Sequence, residues 1–236
     1  MTGSGRHSPL PGGPGSSNTC EIYDLRMIEG TLVRLRALRA QDASHHLRWR
    51  NDPEVVHWAA GGDPRFGPVT AEAIGLGFET MLRLNPRESA VFTVEDLADG
   101  TVIGMVDYRD LDPFAGLATV GVTIGERDRW GLGHGSEALC LLVGHLFGAF
   151  GLHRIELDTW SGNERAVRAF TRAGFREEGR RRSTVLVAGE RYDTVLFGVL
   201  REEWPHRTHH RAPVPPGIGH LPPRTPPPAS ASSRPG

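Results

Sequence analysis

The residues from Thr123 to Ala138 have the types and spacing to hold a phosphate. They read Thr-Ile-Gly-Glu-Arg-Asp-Arg-Trp-Gly-Leu-Gly-His-Gly-Ser-Glu-Ala, with glycines at 131, 133 and 135. A strand-like run ends at Ile124, and a helical pattern is read from Ser136. Backbone N–H groups at a helix start lack partners, and the helix dipole is positive there. An anion can therefore dock, and glycines let the backbone come close to it. Each such contact is worth about 0.3–1 kcal/mol, up to ~2 when partly buried. A Walker loop is excluded because it requires a lysine, and all 27 basic residues of this chain are arginine. The dinucleotide fingerprint is Gly-x-Gly-x-x-Gly early in a βαβ unit, whereas Gly-x-Gly-x-Gly stands here late, after a hairpin. A merely tight turn is the plain alternative.

The elements that must present this loop follow from hydrophobic period and punctuation. Thr31–Arg36 alternates and reads as a first strand. Gln41–Arg50 reads as a helix stopped by Asn51-Asp52-Pro53, and Val55–Pro68 as a long loop containing Gly61-Gly62-Asp63-Pro64. Thr70–Leu84 reads as a second helix. Ser89–Val94 and Thr101–Tyr108 form a hairpin around Ala98-Asp99-Gly100, and Ala118–Ile124 is a further strand. Ser136–Phe150 carries Leu139, Leu142, Val143, Leu146, Phe147 and Phe150 at helical spacing. Arg154–Thr159 is a strand, Glu164–Ala173 a helix ended by Gly174, and Ser183–Val187 and Tyr192–Val199 a last hairpin. The order gives an α/β (α+β) domain with a mixed seven-stranded sheet and about four helices, not a doubly wound one.

Composition sets the limits of that domain. The 18 prolines concentrate toward the ends of the 236 residues. Residues 1–29 and 205–236 are expected to be disordered tails and lead-in, leaving 30–204 as one core-forming domain. A formal net charge of −1 offers no general field for nucleic acid or membrane. Cys20 and Cys140 make neither a disulfide framework nor a zinc site, and His45-His46 and the histidines at 206, 209 and 210 read as solvated, so no metal is expected. The stretch from Ala138 to Leu152 is too short to span a bilayer, and no signal peptide is visible; the expectation is a cytoplasmic protein, monomer or homodimer.

Trp130-Gly-Leu-Gly-His-Gly-Ser-Glu-Ala138 resembles the acetyl-CoA pyrophosphate loop of the GNAT superfamily, in particular the branch with ribosomal-protein N-terminal acetyltransferases. Asn163-Glu-Arg-Ala-Val-Arg-Ala-Phe-Thr-Arg-Ala-Gly-Phe175 resembles that family's second motif. Glu178-Gly179, Arg182, Gly189 and Asp193 continue the branch pattern, and Val33-Arg-Leu-Arg36 and Arg50-Asn-Asp-Pro-Glu54 resemble its opening. The resemblance spans about Thr31 to Trp204. It implies a single, mostly antiparallel GNAT-like sheet in which the strands ending at Thr123-Ile124 and Leu157-Asp158 splay apart. The pantetheine arm of acetyl-CoA would lie in the gap against Val122, Thr123 and Ile124. Trp130 and Gly131 would open the phosphate loop, and Leu132, Gly133, His134, Gly135 and Ser136 would wrap the pyrophosphate. Asn163 would bond the arm, Phe170 would flank the thioester and Arg172 would approach a cofactor phosphate. Asn163 equally suits a helix N-cap, and Phe170 plain core packing.

The reaction the resemblance implies is attack by an amine on the thioester of acetyl-CoA. An alkyl amine of pKa about 10.4 is only ~10⁻³ neutral at pH 7, so a base helps, by about 10²–10⁴-fold. Asp107, Glu126, Glu156 and Asp158 are the candidates, with Asp107 first because it lies on a central strand. Each reads equally as a solvated carboxylate. Many relatives carry Tyr where Phe170 stands, placed to protonate the leaving thiolate; Phe cannot do this, and Tyr108 and Tyr192 are the only substitutes within the expected domain. Asp52, Glu54, Asp63, Asp110 and Asp112 in the expected substrate walls would suit a cationic amine. A non-catalytic acyl-CoA-binding domain is the competing reading; nucleotide binding by the glycine loop fails on spacing.

Overall fold

A computed structural model describes residues 27–61 and 63–204; the C-terminal tail and all but the last three residues of the expected N-terminal one, with Cys20 and the histidines at 206, 209 and 210, lie outside the described residues. Eight strands form one sheet: β1 (Ile28–Glu29), β2 (Val33–Ala37), β3 (Ala90–Asp96), β4 (Val102–Asp112), β5 (Leu117–Ile124), β6 (Arg154–Trp160), β7 (Arg176–Val187) and β8 (Glu190–Leu200). Their spatial order is β1-β2-β3-β4-β5-β6-β8-β7. Every pairing is antiparallel except β5 with β6. Five helices accompany them: α1 (Ala43–Arg50), α2 (Pro53–Ala60), α3 (Ala71–Leu82), α4 (His134–Phe150) and α5 (Glu164–Ala173).

The class matches the sequence reading, but the counts do not: eight strands rather than seven, five helices rather than four. The additional strand, β1, falls at residues 28–29, ahead of the expected domain start. The additional helix, α2, occupies the first half of the expected 55–68 loop. Asn51-Asp52-Pro53 ends one helix and starts the next. Asp52 Oδ1 accepts the N–H groups of Glu54 (2.9 Å) and Val55 (3.3 Å), and Pro53 takes the first helical position, where a missing N–H costs nothing. Strand β7 begins at Arg176 rather than Ser183. Its side chains are mostly exposed because it is an edge strand, so no apolar alternation marks it.

Helix α4 packs its fully buried Ala138, Leu139, Leu142, Val143 and Leu146 into a core that also holds Val33, Leu35, Val106 and Ala118 from the strands. Alternate residues of β2 point to the opposite face. There Arg36 donates two bonds to Asp42, at 2.7 and 2.8 Å, and a third to Glu95, which Arg34 also binds at 2.6 Å. Thr93 Oγ1 donates to Asp42 at 2.8 Å. A buried ion-pair network of this kind holds only because nearly every polar atom is partnered. It accounts for the alternating arginines of the chain's opening motif. Among the described residues no helix is long and apolar enough to cross a membrane, and no group of three or more His, Cys, Asp or Glu could hold a metal.

Candidate active site

The two sheet halves meet along a short seam. Parallel pairing joins Leu117–Thr119 to Arg154–Glu156 and then stops. From Val120 to Ile124, β5 stays bonded to β4 but has no strand on its other edge. A parallel pair that ends early leaves a row of peptide groups facing open space. At the end of this edge the chain turns through Arg127–Arg129 and the glycine loop into α4.

A cleft of roughly 390 Å³ opens between that edge, the loop, α5 and α2. Of the residues expected to hold a cofactor, Val122, Thr123, Ile124, Trp130, Gly131, Gly133, His134, Gly135, Ser136, Asn163, Phe170 and Arg172 line it. Leu132 does not; its side chain is 58% exposed on the loop's outer side. A wider, shallower hollow of roughly 530 Å³ lies outside the cleft, between α1, the start of α2 and Arg127. It is open to solvent, and its Asp52 is committed to capping α2.

Gly133 is the N-cap of α4 at φ +99°, a left-handed conformation that favours glycine. The helix therefore starts at His134, two residues earlier than the apolar pattern alone indicates. A Cβ on Gly135 would lie 3.4 Å from Ile124 and 3.9 Å from Val122, so the free protein has room for one there. Glu137, in the first turn, accepts the backbone N–H groups of Thr31 (2.8 Å), Leu32 (2.6 Å) and Val33 (2.8 Å). The carboxylate fastens the lead-in to β2 against the helix that presents the loop. His134 is buried and its Nε2 sits 3.2 Å from Asp96, at the end of β3. Asp96 also receives Arg129 Nη1 at 3.2 Å. Trp130 Nε1 donates to the Ile124 carbonyl at 2.7 Å, fixing the indole as a wall at the end of β5.

The two residues with open assignments on α5 both have structural partners within the protein and both line the cleft. Asn163 Oδ1 accepts the Ala166 N–H at 3.1 Å, the N-cap geometry, and Nδ2 donates to the Trp58 carbonyl at 2.9 Å. Its amide thus joins α5 to α2 while facing the cleft. Phe170 lines the cleft and packs edge-on against Phe197, centroids 5.6 Å apart. Among the described residues no phenol substitutes for it: the Tyr108 hydroxyl donates to the Pro86 carbonyl at 2.6 Å and that of Tyr192 to Glu190 at 2.8 Å. Cys140 makes a 3.8 Å contact from Sγ to the Ala173 carbonyl, a helix–helix contact.

Asp107 stands outside this cleft. It pairs in register with Val91 and Gly121, on the face away from Val106 and the α4 core. Arg109 Nη1 donates to Oδ2 at 2.9 Å. Burial pushes the carboxyl up from its ordinary 3.8, against the pull of Arg109. The paired residues Thr119 and Glu156 share its face, as do Gly121 and Asp158, two positions further along. Glu156 is held by Arg154 at 2.6 Å, and Glu126 accepts Trp49 Nε1 at 2.9 Å and binds Arg48. Both candidates thus have structural partners, while Asp158 is exposed at the opposite lip of the gap.

Most wall acids expected to meet an amine are also engaged internally. Asp52 and Glu54 approach Arg127 at 3.4 and 2.7 Å, Asp63 binds Arg65, and Asp112 accepts the N–H groups of Phe114 and Ala115. The sequence reading also missed cleft residues. Val55, Trp58 and Ala59 were hidden by reading α2 as a loop. Arg165 and Arg168 carry a visible signal, since with the already expected Arg172 they place basic residues at i, i+3 and i+7 on one helix, and all three line the cleft.

Residues 33–176 match the acetyltransferase (GNAT) domain model, and the chain belongs to that family. The uncharacterized N-acetyltransferase p20 of Bacillus licheniformis is 26% identical over 174 residues, 73% of this chain and 94% of p20. YdaF of Bacillus subtilis, provisionally named a ribosomal N-acetyltransferase, is 32% identical over 108 residues, 46% of this chain and 58% of YdaF. Among solved structures, spermidine N-acetyltransferase from Vibrio cholerae in complex with CoA and spermine superposes with a TM-score of 0.65 at 19% identity, covering 74% of this chain and 99% of that one. Ribosomal-protein-S5-alanine acetyltransferase from Vibrio fischeri gives 0.64 at 21%, covering 75% and 98%.

Proposed function

We propose that the protein transfers an acetyl group from acetyl-CoA to a primary amine by direct attack. The observation that carries this reading is the unpaired edge of β5 opposite the start of α4. It offers peptide groups to an amide-bearing arm and helix N–H groups to a diphosphate in one continuous cleft. The room at Gly135 and the absence of any acidic side chain from the cleft lining fit the same ligand. Acetyl-CoA supplies an activated thioester whose thiol, of ordinary pKa about 8.5, is a competent leaving group without a phenol beside it.

In this reading Asp107 is the general base. Its carboxylate leans over Gly121, toward the edge where the strands part, and a raised pKa strengthens it as a proton acceptor. Asp107 and Asp158 on the two lips of the gap favour a cationic small amine as acceptor. The Vibrio cholerae enzyme was solved in complex with spermine, a molecule of that charge type.

Phe170 favours a second reading, an acyl-CoA-binding domain without turnover, because neither Tyr108 nor Tyr192 takes the place of the phenol many relatives carry there. Isothermal titration with acetyl-CoA and CoA, followed by a thiol-release assay over a panel of amines, decides between them. Binding with amine-dependent CoA release is expected. Binding with no release on any polyamine, aminated metabolite or N-terminal peptide supports the second reading, and no binding removes both.

A further inference from the structure

On the face of the sheet that carries Asp107, two rows of residues lead from β4 toward β6. In the first, Arg109 pairs with Thr119 and Thr119 with Glu156, where the parallel seam is still closed. In the second, Asp107 pairs with Gly121, two residues past Thr119, where the strands have parted. Arg109 has its backbone in the closed row and its guanidinium in the open one. Its Nη1 donates to Asp107 Oδ2 at 2.9 Å, and a Cβ on Gly121 would lie 3.3 Å from Nη1 and 2.6 Å from Asp107 Oδ1. The missing side chain at residue 121 leaves room for both groups. The register of β4 with β5 shifts just after Arg109, and Asp110 is left-handed at φ +53°. An irregularity of this kind bends a strand and re-aims the side chains beside it.

As a brace the pair contributes little, since the side chains of Asp107 and Arg109 are 26% and 46% exposed. Its effect is to divide the two carboxylate oxygens. Oδ2 is occupied, while Oδ1 receives no hydrogen bond among the described residues and hangs over Gly121 at the open edge of β5. The neighbours on this face leave that division undisturbed. Val91 of β3 and Thr119, Gly121 and Thr123 of β5 do not titrate, Glu156 of β6 is held by Arg154 at 2.6 Å, and Asp158 stands on the far lip. Arg109 is the charged group that acts on the Asp107 carboxyl, and it acts downward, against burial. We infer that Arg109 is a positioning residue for the transfer: by holding Oδ2 it presents Oδ1, at the parting of β5 and β6, as the atom that takes the amine's proton. The inference rests on the acetyl-transfer reading above, with Asp107 as its base. The acceptor's ammonium loses one proton to Oδ1 and attacks as the free amine. As the C–N bond forms and the C–S bond breaks, the sulfur leaves with the electron pair and takes the second proton from nitrogen. Asp107 passes the first proton to solvent.

The test is the pH dependence of kcat at saturating acetyl-CoA, with the amine that releases CoA fastest in the panel above. It compares full-length wild type, Asp107→Asn, Arg109→Gln, Arg109→Lys and the double variant Asp107→Asn/Arg109→Gln. Turnover falls below the pH at which Asp107 takes up a proton, and removing the positive charge removes a downward pull on that pH. Arg109→Gln should therefore move the acid limb up by about one pH unit and lower the plateau about tenfold. Its acetyl-CoA Kd should stay within about twofold of wild type, which also shows that the variant is folded. Arg109→Lys returns a charge and should reverse most of the limb shift. The double variant should be no slower than Asp107→Asn alone, because a residue that acts through Asp107 then has nothing to position. An acid limb that stays in place in Arg109→Gln overturns the inference and leaves the acetyl-transfer reading standing. So does a double variant about tenfold slower than Asp107→Asn, which would give Arg109 a role of its own. Unchanged kcat in Asp107→Asn removes the base and the inference together, and a wild type that releases CoA with no amine overturns the acetyl-transfer reading itself.

Discussion

The carboxylate of Asp107 reaches so far over Gly121 that a Cβ at residue 121 would lie 2.6 Å from its Oδ1. The acid on β4 thus occupies space that any side chain on β5 would take. Asp107→Asn should lower kcat by about 10²–10⁴-fold with acetyl-CoA affinity within about twofold, since it removes a proton acceptor and keeps the shape. Gly121→Ala should displace the carboxylate and lower kcat in the same direction. Steady-state kinetics with a responsive amine, set beside direct titration of acetyl-CoA, checks both. Unchanged kcat in Asp107→Asn would remove this carboxylate from the chemistry.

The glycine loop separates into a conformational position and a spatial one. Gly133 is left-handed at φ +99°, so Gly133→Ala should cost about 1–2 kcal/mol of stability, read as a lower urea midpoint. Gly135 meets only ordinary contact distances, so Gly135→Val should unfold close to wild type and lose acetyl-CoA affinity about tenfold or more. Normal acetyl-CoA binding by Gly135→Val would place the cofactor elsewhere.

Glu137 accepts three backbone N–H groups at 2.6–2.8 Å, one at Oε1 and two at Oε2. Glu137→Ala should cost roughly 2–4 kcal/mol by leaving those donors without partners. Hydrogen exchange should quicken at residues 31–33 first. A loss under about 0.5 kcal/mol would show that water replaces the carboxylate.

Acid lability should begin with two histidines, His46 and His145, because burial pushes the pKa of each down. His46 is buried against Trp49 and Phe78, and burial pushes its pKa down to about 4 from an ordinary 6.5. The unfolded chain takes up this proton near 6.5 and the folded chain only near 4. The contribution is therefore complete above about 6.5 and is lost as pH falls toward 4, on the order of 3 kcal/mol in all. Asp42 acts lower: burial raises its pKa, but the bonds from Arg36, the Arg39 N–H and Thr93 outweigh burial and hold it at about 2, so its share fades only below 3.8. His46→Leu should flatten the urea midpoint between pH 7 and 5. An unchanged slope would show that another group carries it.

Sequence alone fixed the parts that local chemistry punctuates. Helix α5 falls where Asn163 and Gly174 bracket an amphipathic run, and the glycine loop leads into α4 as its composition demands. Asn51-Asp52-Pro53 misled because a stop and a start share the same residues, and α2 then vanished into a loop. The first half of β7 was silent because an edge strand faces no core. Most of the cleft was legible from motif residues. The overhang of Asp107 on Gly121 was not, since strand register sets it, and neither was the indole stacking of Arg165, since Trp58 and Trp130 come from distant segments.

The unpaired stretch of β5 from Val120 to Ile124 also bears on how such a protein changes over time. What it presents to a ligand along its open side is main chain, and main chain is the one component that substitution leaves in place. Mutations there exchange side chains above and below the sheet while the row of amide and carbonyl groups persists, provided that β4 continues to hold it. On the proposed acyl-CoA reading, the grip on the donor is insulated from sequence drift, and the opposite lip of the gap, at Asp158, can be rewritten for a new acceptor without rebuilding the donor's seat.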